Sequence, residues 1–364
     1  KLQYSEGDVS EFLCALPVFV DGSNNGVQHM AALTLDEKTA PLVNLVPQDL
    51  PGDVYMAVCD SVYEQVKADY NPELDAPLMS FLTRLDALVS DLDKVPYEDK
   101  KARFDQIATL REEFDLKSLA PNYFMKITDR KKRRKMVKRP VMTLGYGGTR
   151  GGFTGMILED NKQESQYFRN MQQCWARYFG DLIYFTCRGN ETTEARLPSL
   201  AKMLDLFEGL AKDASEGGSK LTWRTPVTNF PVIQHYMKAK TRIVKFHYKG
   251  KRIELNVQFY EDMSLDKNKQ KTSAAPNVIH SFDSAHLQMT VVGHEFRTAT
   301  IHDSFGCLPS DMAELFVGVR ETFVDFYESK PLVSLLGQRG AMERMPEQGS
   351  LNLEDIIKSD FSFA

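Results

Sequence analysis

The chain of 364 residues is expected to fold as an α+β protein, and three observations predict it. Val54, Val58, Val62 and Val66 recur at the spacing of one helix face, and similar stretches run through the middle of the chain. Two short apolar, β-prone runs, Val18-Phe19-Val20-Asp21 and Ala299-Thr300-Ile301-His302-Asp303, lie towards opposite ends, and each closes on an aspartate. Between them, residues 242–248 and 252–259 alternate as strands do around Lys249-Gly250-Lys251, a hairpin pattern with a basic tip.

Taken in order, residues 12–21 read as a buried strand, followed by turn formers up to Gly26 and a helix over 27–35. A helix over 53–66 is broken by Pro72 and Pro77. Residues 78–119 are helical in pattern and rich in both charge signs, which reads as an antiparallel helical hairpin with an exposed polar face. Arg134, Lys138, Met142 and Tyr146 then fall four apart, so a helix presents them on one face. Pro140 should kink that helix or force a local adjustment, and Gly145, Gly147, Gly148, Gly151 and Gly152 should end it. Helices follow over 164–185 and 200–211, with a flexible turn at 215–219. After the hairpin, 266–271 is polar and expected to be mobile. A helix over 281–296, a strand–turn–strand about His302-Asp303, a helix over 312–328 and a looped tail complete the chain.

Composition bounds the function. With 42% hydrophobic and 26% charged residues, the chain can bury one large or two medium cores. Five scattered cysteines without a CxxC pair argue against a zinc knuckle and for a reduced, cytoplasmic compartment. The longest apolar run, 12–20, is far short of the roughly 20 residues of a membrane span, so no membrane is expected. No signal-peptide pattern opens the chain, and it begins at Lys1 rather than Met, which leaves room for a missing or processed segment. The net charge of −5 does not advertise nucleic-acid binding. Residues 126–139 nevertheless hold nine Lys or Arg with Asp129 as the only acid, a local positive stripe.

A lone aspartate at a strand end is ordinarily a turn or cap residue. A pair on neighbouring strands can bridge two divalent cations about 3.5–4 Å apart, which stabilise both oxygens of an in-line phosphoryl displacement. Arginine binds phosphate oxygens in bidentate fashion, and lysine adds a point charge and an ionisable proton. Three blocks combine these elements: Pro17-Val18-Phe19-Val20-Asp21-Gly22-Ser23 with Gly26-Val27-Gln28, the run from Arg134 to Gly147, and His302-Asp303-Ser304. Together they resemble the catalytic motifs of the single-subunit RNA polymerases of phage and mitochondrial type. The resemblance covers nearly the whole chain, with 73–120 hard to align.

That resemblance implies a right-hand polymerase fold, with palm over 1–38 and 281–364 and mainly helical fingers over 39–280. The fingers would include a nucleotide-binding helix at 130–146 and a specificity-loop-like hairpin at 240–262. It implies two Mg²⁺ ions, with Mn²⁺ as a substitute, held by Asp21, the Gly22 carbonyl and Asp303. Arg134 and Lys138 would meet the triphosphate, Lys138 would protonate the leaving pyrophosphate, and Tyr146, one turn beyond Met142, would help to select the ribose 2′-OH. His280 would contact the minor groove and sugar region, and His302 would support Asp303. Arg242, Lys249, Lys251 and Arg252 of the hairpin would contact DNA. Phe361, Phe363 and Ala364 would pack near the active site, as a tail whose loss costs activity more than stability. Asn24 departs from the small residue expected beside the metal site. Gly145-x-Gly147-Gly148 lacks the GKS or GKT of a Walker loop and reads as a helix stop.

The implied partners are template DNA, nascent RNA and ribonucleoside triphosphates. The family's thumb, N-terminal promoter domain and basic palm motif have no counterpart before Val20. The chain is therefore expected to be a fragment, or the larger catalytic subunit of a split, heterodimeric phage enzyme whose partner supplies the rest. A recruiting or single-strand-binding factor is a further expected partner. Two other readings stay open: a DNA polymerase of the related A-type class, against which Met142 and Ser304 argue, and a non-catalytic polymerase-derived subunit, against which both retained aspartates argue.

Overall fold

The computed structural model describes residues 15–90, 92, 94–160, 169–260 and 264–364. Residues 12–14 of the expected first strand, 164–168 of the helix expected at 164–185, 261–262 of the hairpin region and Cys14 lie outside the described residues. The chain divides into two compact units: one joins the segment up to Gly52 with Lys202–Ala364, and the other is Asp53–Ala201. The boundaries drawn from the resemblance, 38/39 and 280/281, both fall within the first unit.

The first unit opens with β1 (Val18–Asp21), which begins after Pro17, a residue with no N–H to give a ladder. Helix α1 (Asn25–Thr34) starts where the Asn24 side chain accepts from Val27 N–H, and it ends on Leu35 in the left-handed region.

The second unit is helical. Helix α2 (Val54–Asp69) is capped by Asp53 Oδ1, which accepts from Met56 N–H at 3.0 Å, and its valine stripe is buried. Pro72 breaks the helical pattern as expected. Pro77 does not, because it sits in the first turn of α3 (Asp75–Val89), where its missing donor has no partner to lose. Helix α4 (Tyr97–Glu113) runs back along α3: Arg84 meets Glu113 at 2.6 Å and Arg103 reaches the Ala87 carbonyl at 3.1 Å, the expected antiparallel hairpin. After α5 (Ala120–Met125), α6 (Arg130–Leu144) runs through Pro140 to Leu144. Gly145, Gly147 and Gly148 end it. Gly151 and Gly152 instead open α7 (Arg150–Asp160), where Thr149 Oγ1 accepts from Gly152 N–H at 3.1 Å. Helix α8 (Arg169–Arg188) supplies Phe179, which stacks on Phe124 at 4.3 Å, and Trp175, which lies 4.2 Å from the Tyr123 ring.

The unit boundary falls inside α9 (Pro198–Glu216), which continues past the expected stop and leaves a short turn about Gly217 and Gly218. A small pair, β2 (Thr222–Arg224) and β3 (Pro231–Ile233), was not anticipated. The expected hairpin forms β4 (Lys240–Tyr248) and β5 (Lys251–Phe259), joined at Lys249 and Gly250, both with positive φ, as a tight turn matched to strand twist requires. Residues 266–271, expected to be mobile, form α10 (Lys267–Thr272) because Asp266 Oδ1 caps Lys269 N–H at 3.0 Å. Helix α11 (Ala274–Val292) starts earlier than expected and takes in His280. Then come β6 (Ala299–Ile301), β7 (Ser304–Cys307), α12 (Met312–Glu328) and, in place of loop, α13 (Pro331–Arg339). The strands β1, β7 and β6 form one antiparallel sheet in that order, with Asp21 opposite Ser304 and Ile301 also opposite Ser304. The protein is thus α+β, and all its described strand pairs are antiparallel.

Candidate active site

The sheet register brings the two aspartates together. Asp21 ends β1, and Asp303 lies in the two-residue turn between β6 and β7, next to the Ser304 that faces Asp21. The other turn residue, His302, has φ 56, a left-handed conformation that a non-glycine residue adopts at some cost. Burial raises the Asp21 carboxyl above the usual range, the nearby Asp303 raises it further, and the Gly22 N–H opposes them. Burial also raises Asp303, against its own backbone amide, and Asp283 adds to the rise. Neither carboxylate has a Lys or Arg partner among the described residues. Two crowded, partly desolvated oxygen donors without a countercharge fit a hard divalent cation. Among the described residues no three His, Cys, Asp or Glu side chains gather to hold a metal, so further ligands would come from the Gly22 carbonyl, substrate or water.

The tail closes over this edge. Ala364 N–H donates to the Asp21 carbonyl at 3.0 Å, Asp21 N–H donates to Ala364 O at 3.3 Å, and Gly22 bridges Phe363. Ser23 Oγ donates to the Phe361 carbonyl at 2.8 Å, and Gln28 Nε2 donates to the Ser362 carbonyl at 2.8 Å. A Cβ on Gly22 would stand 2.8 Å from Gln28 Oε1, so only glycine fits without displacing that amide. Phe363 is 1% exposed among His286, Phe305 and Phe323. Arg320 of α12 is equally buried and donates to the carbonyls of Phe316, Ser359, Asp360 and Phe363. Burial pushes its guanidinium down to about 10, still charged at neutral pH. The tail is therefore a core element, which argues against the expectation that its loss spares stability.

His280 lies on α11, one turn before Asp283; desolvation lowers its imidazole pKa, against the charges of Asp283 and Asp303. The hairpin spreads its basic residues. Arg242 and Lys251 share one face, Arg252 lies on the other and meets Glu254 at 2.8 Å, and Lys249 sits in the turn.

In the second unit, α6 buries Met136, Val137, Pro140, Val141 and Leu144, which turns Arg134, Lys138 and Met142 outward. Tyr146 follows in the terminal turn, its N–H on the Thr143 carbonyl at 3.0 Å. Arg134 Nε donates to Asp53 Oδ2 at 2.5 Å, and the Tyr55 ring lies 5.2 Å from the Arg134 guanidinium and 5.7 Å from Lys138 Nζ. One aromatic face thus spaces both cations.

The sequence reading quoted Ser23 and Gln28 within the first motif without a role for either, and missed Asp53, Tyr55 and Arg320. A signal existed for two of them: Asp53 precedes a helix in cap position, and Arg320 interrupts the buried stripe of α12. Asn24, singled out as a departure, is the cap of α1.

A family model described as DNA-dependent RNA polymerase matches residues 1–342. The DNA-directed RNA polymerase of Enterobacteria phage T3 is 31% identical over 378 residues, covering 96% of this chain and 40% of its own length. The T7 RNA polymerase of Escherichia phage T7 is 31% identical over 385 residues, with the same two coverages. DNA-directed RNA polymerase 2B, chloroplastic/mitochondrial, of Nicotiana tabacum is 27% identical over 357 residues, 96% of this chain and 30% of that protein. The chain spans about two fifths of the length of the phage relatives it matches.

Proposed function

Because this chain belongs to the DNA-dependent RNA polymerase family, we propose that it carries the catalytic part of an enzyme that adds ribonucleotides to an RNA 3′-OH on a DNA template. The observation that carries this reading is the β1–β7–β6 register, which sets Asp21 beside Asp303 with no Lys or Arg paired to either among the described residues. Asp21, Asp303 and the Gly22 carbonyl hold two divalent cations, Mg²⁺ or Mn²⁺. When bound, these supply charge to the attacking and leaving oxygens. Arg134 and Lys138 bind the triphosphate, and Lys138 gives a proton to the departing pyrophosphate. Tyr146 offers its hydroxyl to sugar recognition beside Met142, and His280 contacts the sugar side of the duplex. His302 holds the turn that aims Asp303. Arg242, Lys249, Lys251 and Arg252 contact DNA from the β4–β5 ribbon. In this reading the unit Asp53–Ala201 serves as fingers and the β1–β7–β6 sheet as palm.

The finer reading is one subunit of a split phage enzyme, with a second chain that supplies the thumb, N-terminal region and remaining palm motif, and an added recruiting or single-strand-binding factor. Its support is the apolar surface exposed at Val18, Phe19 and Ile301.

The test is RNA primer extension on single-stranded DNA. Asp21→Asn and Asp303→Asn should each cut ribonucleotide addition by at least about a thousandfold, the scale of losing several kcal/mol of transition-state stabilisation. Template binding should persist. Substantial extension by either variant overturns the assignment.

A further inference from the structure

Behind the two aspartates lies a buried polar cluster to which the reaction above assigns no role. Helix α1 begins three residues after Gly22, and its first two turns present Asn25 and His29 inward, both buried. Asp283, on α11 and also buried, has Asn25 among the neighbours that lower its carboxyl pKa. Its Oδ1 lies 3.5 Å from His29 Nε2, a charge contact rather than a well-formed hydrogen bond. On its other side the His29 ring is held through Nδ1 by the Tyr327 hydroxyl of α12. Burial raises the Tyr327 phenol well above its ordinary value, so it keeps its proton and donates it to Nδ1. The remaining proton of a neutral His29 ring then sits on Nε2, facing Asp283.

This arrangement is expensive for a purely structural purpose. Burial opposes ionisation of Asp283, but His29 and Asn25 outweigh it and leave the carboxyl below the usual carboxylate range. No Lys or Arg pairs with it among the described residues, and Oδ1 and His29 Nε2 both lack a hydrogen-bond partner. Next on α11, His286 donates from Nε2 to the Val319 carbonyl at 2.9 Å, and burial pushes it down to about 4, so it offers no countercharge. The negative charge of Asp283 reaches both Asp21 and Asp303. A buried anion held by a histidine, with no Lys or Arg beside it among the described residues, is further stabilised by a cation bound nearby.

We propose that Asp283 is a positioning residue of the metal site: through Asn25 and His29 it fixes the start of α1, and with it the Asp21-Gly22 loop, and it adds a third negative charge that draws divalent cations to Asp21 and Asp303. The proposal rests on those two aspartates being the metal ligands, with Asp283 behind them and not itself a ligand.

The test titrates the purified protein, with any subunit that accompanies it, with Mn²⁺ and reads free Mn²⁺ by electron paramagnetic resonance, alongside the melting temperature. Asp283→Asn should weaken Mn²⁺ binding about tenfold, the effect of one unit charge at intermediate range. Asp283→Glu, which keeps the charge, should restore affinity to within about threefold. Asp283→Asn with wild-type affinity, while Asp21→Asn has lost it, overturns the role of Asp283 and leaves the metal reading intact. Asp283→Glu as weak as Asp283→Asn also overturns it, because a structural defect alone then accounts for both. Asp21→Asn and Asp303→Asn that bind Mn²⁺ as the wild type does remove the metal reading itself, and the proposal with it.

Discussion

A carboxylate whose acidity is weakened by folding works against the fold whenever it is charged. Asp21 and Asp303 are both raised, chiefly by burial, so folding without metal shifts each towards its protonated form relative to the unfolded chain. The stability tied to these groups is fully present below their unfolded-state range and is lost as pH rises through the raised folded-state values. At neutral pH, Asp21→Asn or Asp303→Asn should therefore raise the metal-free melting temperature, by about 1–4 °C, while abolishing nucleotide addition. Thermal scans in chelator decide it, and a lower melting temperature in both variants contradicts the expectation. Tyr146 is the second residue that carries a prediction. Tyr146→Phe keeps the ring and deletes one hydroxyl contact worth about 1–3 kcal/mol, so it should relax ribose-over-deoxyribose choice more than it slows ribonucleotide addition. Competition between the two nucleotide types checks this, and an unchanged ratio refutes the role. Residues of this kind were legible because the motif blocks state them in full. Asp283, His29 and Tyr327 were not, because nothing in the spacing of three residues on three helices announces that they meet.

Among the elements, α6 was read most accurately, since apolar residues on one side and cations on the other leave one orientation. Its end was read less well: Gly151 and Gly152 look like stops, yet Thr149 turns them into the start of the next helix. The last residues give the opposite lesson. Their apolar character was plain, but their weight in the core depends on Arg320, whose four carbonyl acceptors come from residues near and far in sequence. Arg320→Met would take the guanidinium from those carbonyls, leaving the buried Phe363 carbonyl without its side-chain donor, and should cost about 2–4 kcal/mol of stability. Activity should fall with it, as Phe363 lets go of Gly22. Denaturant unfolding with parallel primer extension tests this; an unchanged midpoint would show that the tail is held by other means.

At the scale of the molecule, the sequence suggested palm from both ends and fingers from the middle, and the compact units, one discontinuous and one continuous, have boundaries of their own at 52/53 and 201/202. Those boundaries lie in a turn and inside a helix, where composition changes little, so no local signal marks them. The exposed apolar residues of the β1–β7–β6 sheet give a prediction at this scale. Expressed by itself, the chain should aggregate or fail to extend an RNA primer, and activity should return when the rest of the polymerase is co-expressed. Obligate interfaces of this kind bury more than about 2,000 Å², so the complex should survive gel filtration. Vigorous extension by the pure isolated chain would end the split-enzyme reading.

The pairing of β1 with β7 also sets a timetable. The strand that carries Asp21 is synthesised about 280 residues before the strand it must pair with, a wait of roughly 15–60 s at ordinary translation speeds. Through that interval Val18–Asp21 is a β-prone segment without its β7 partner. A chain that ends anywhere before Asp303 carries Asp21 without the second aspartate and without the β7 strand that pairs with β1.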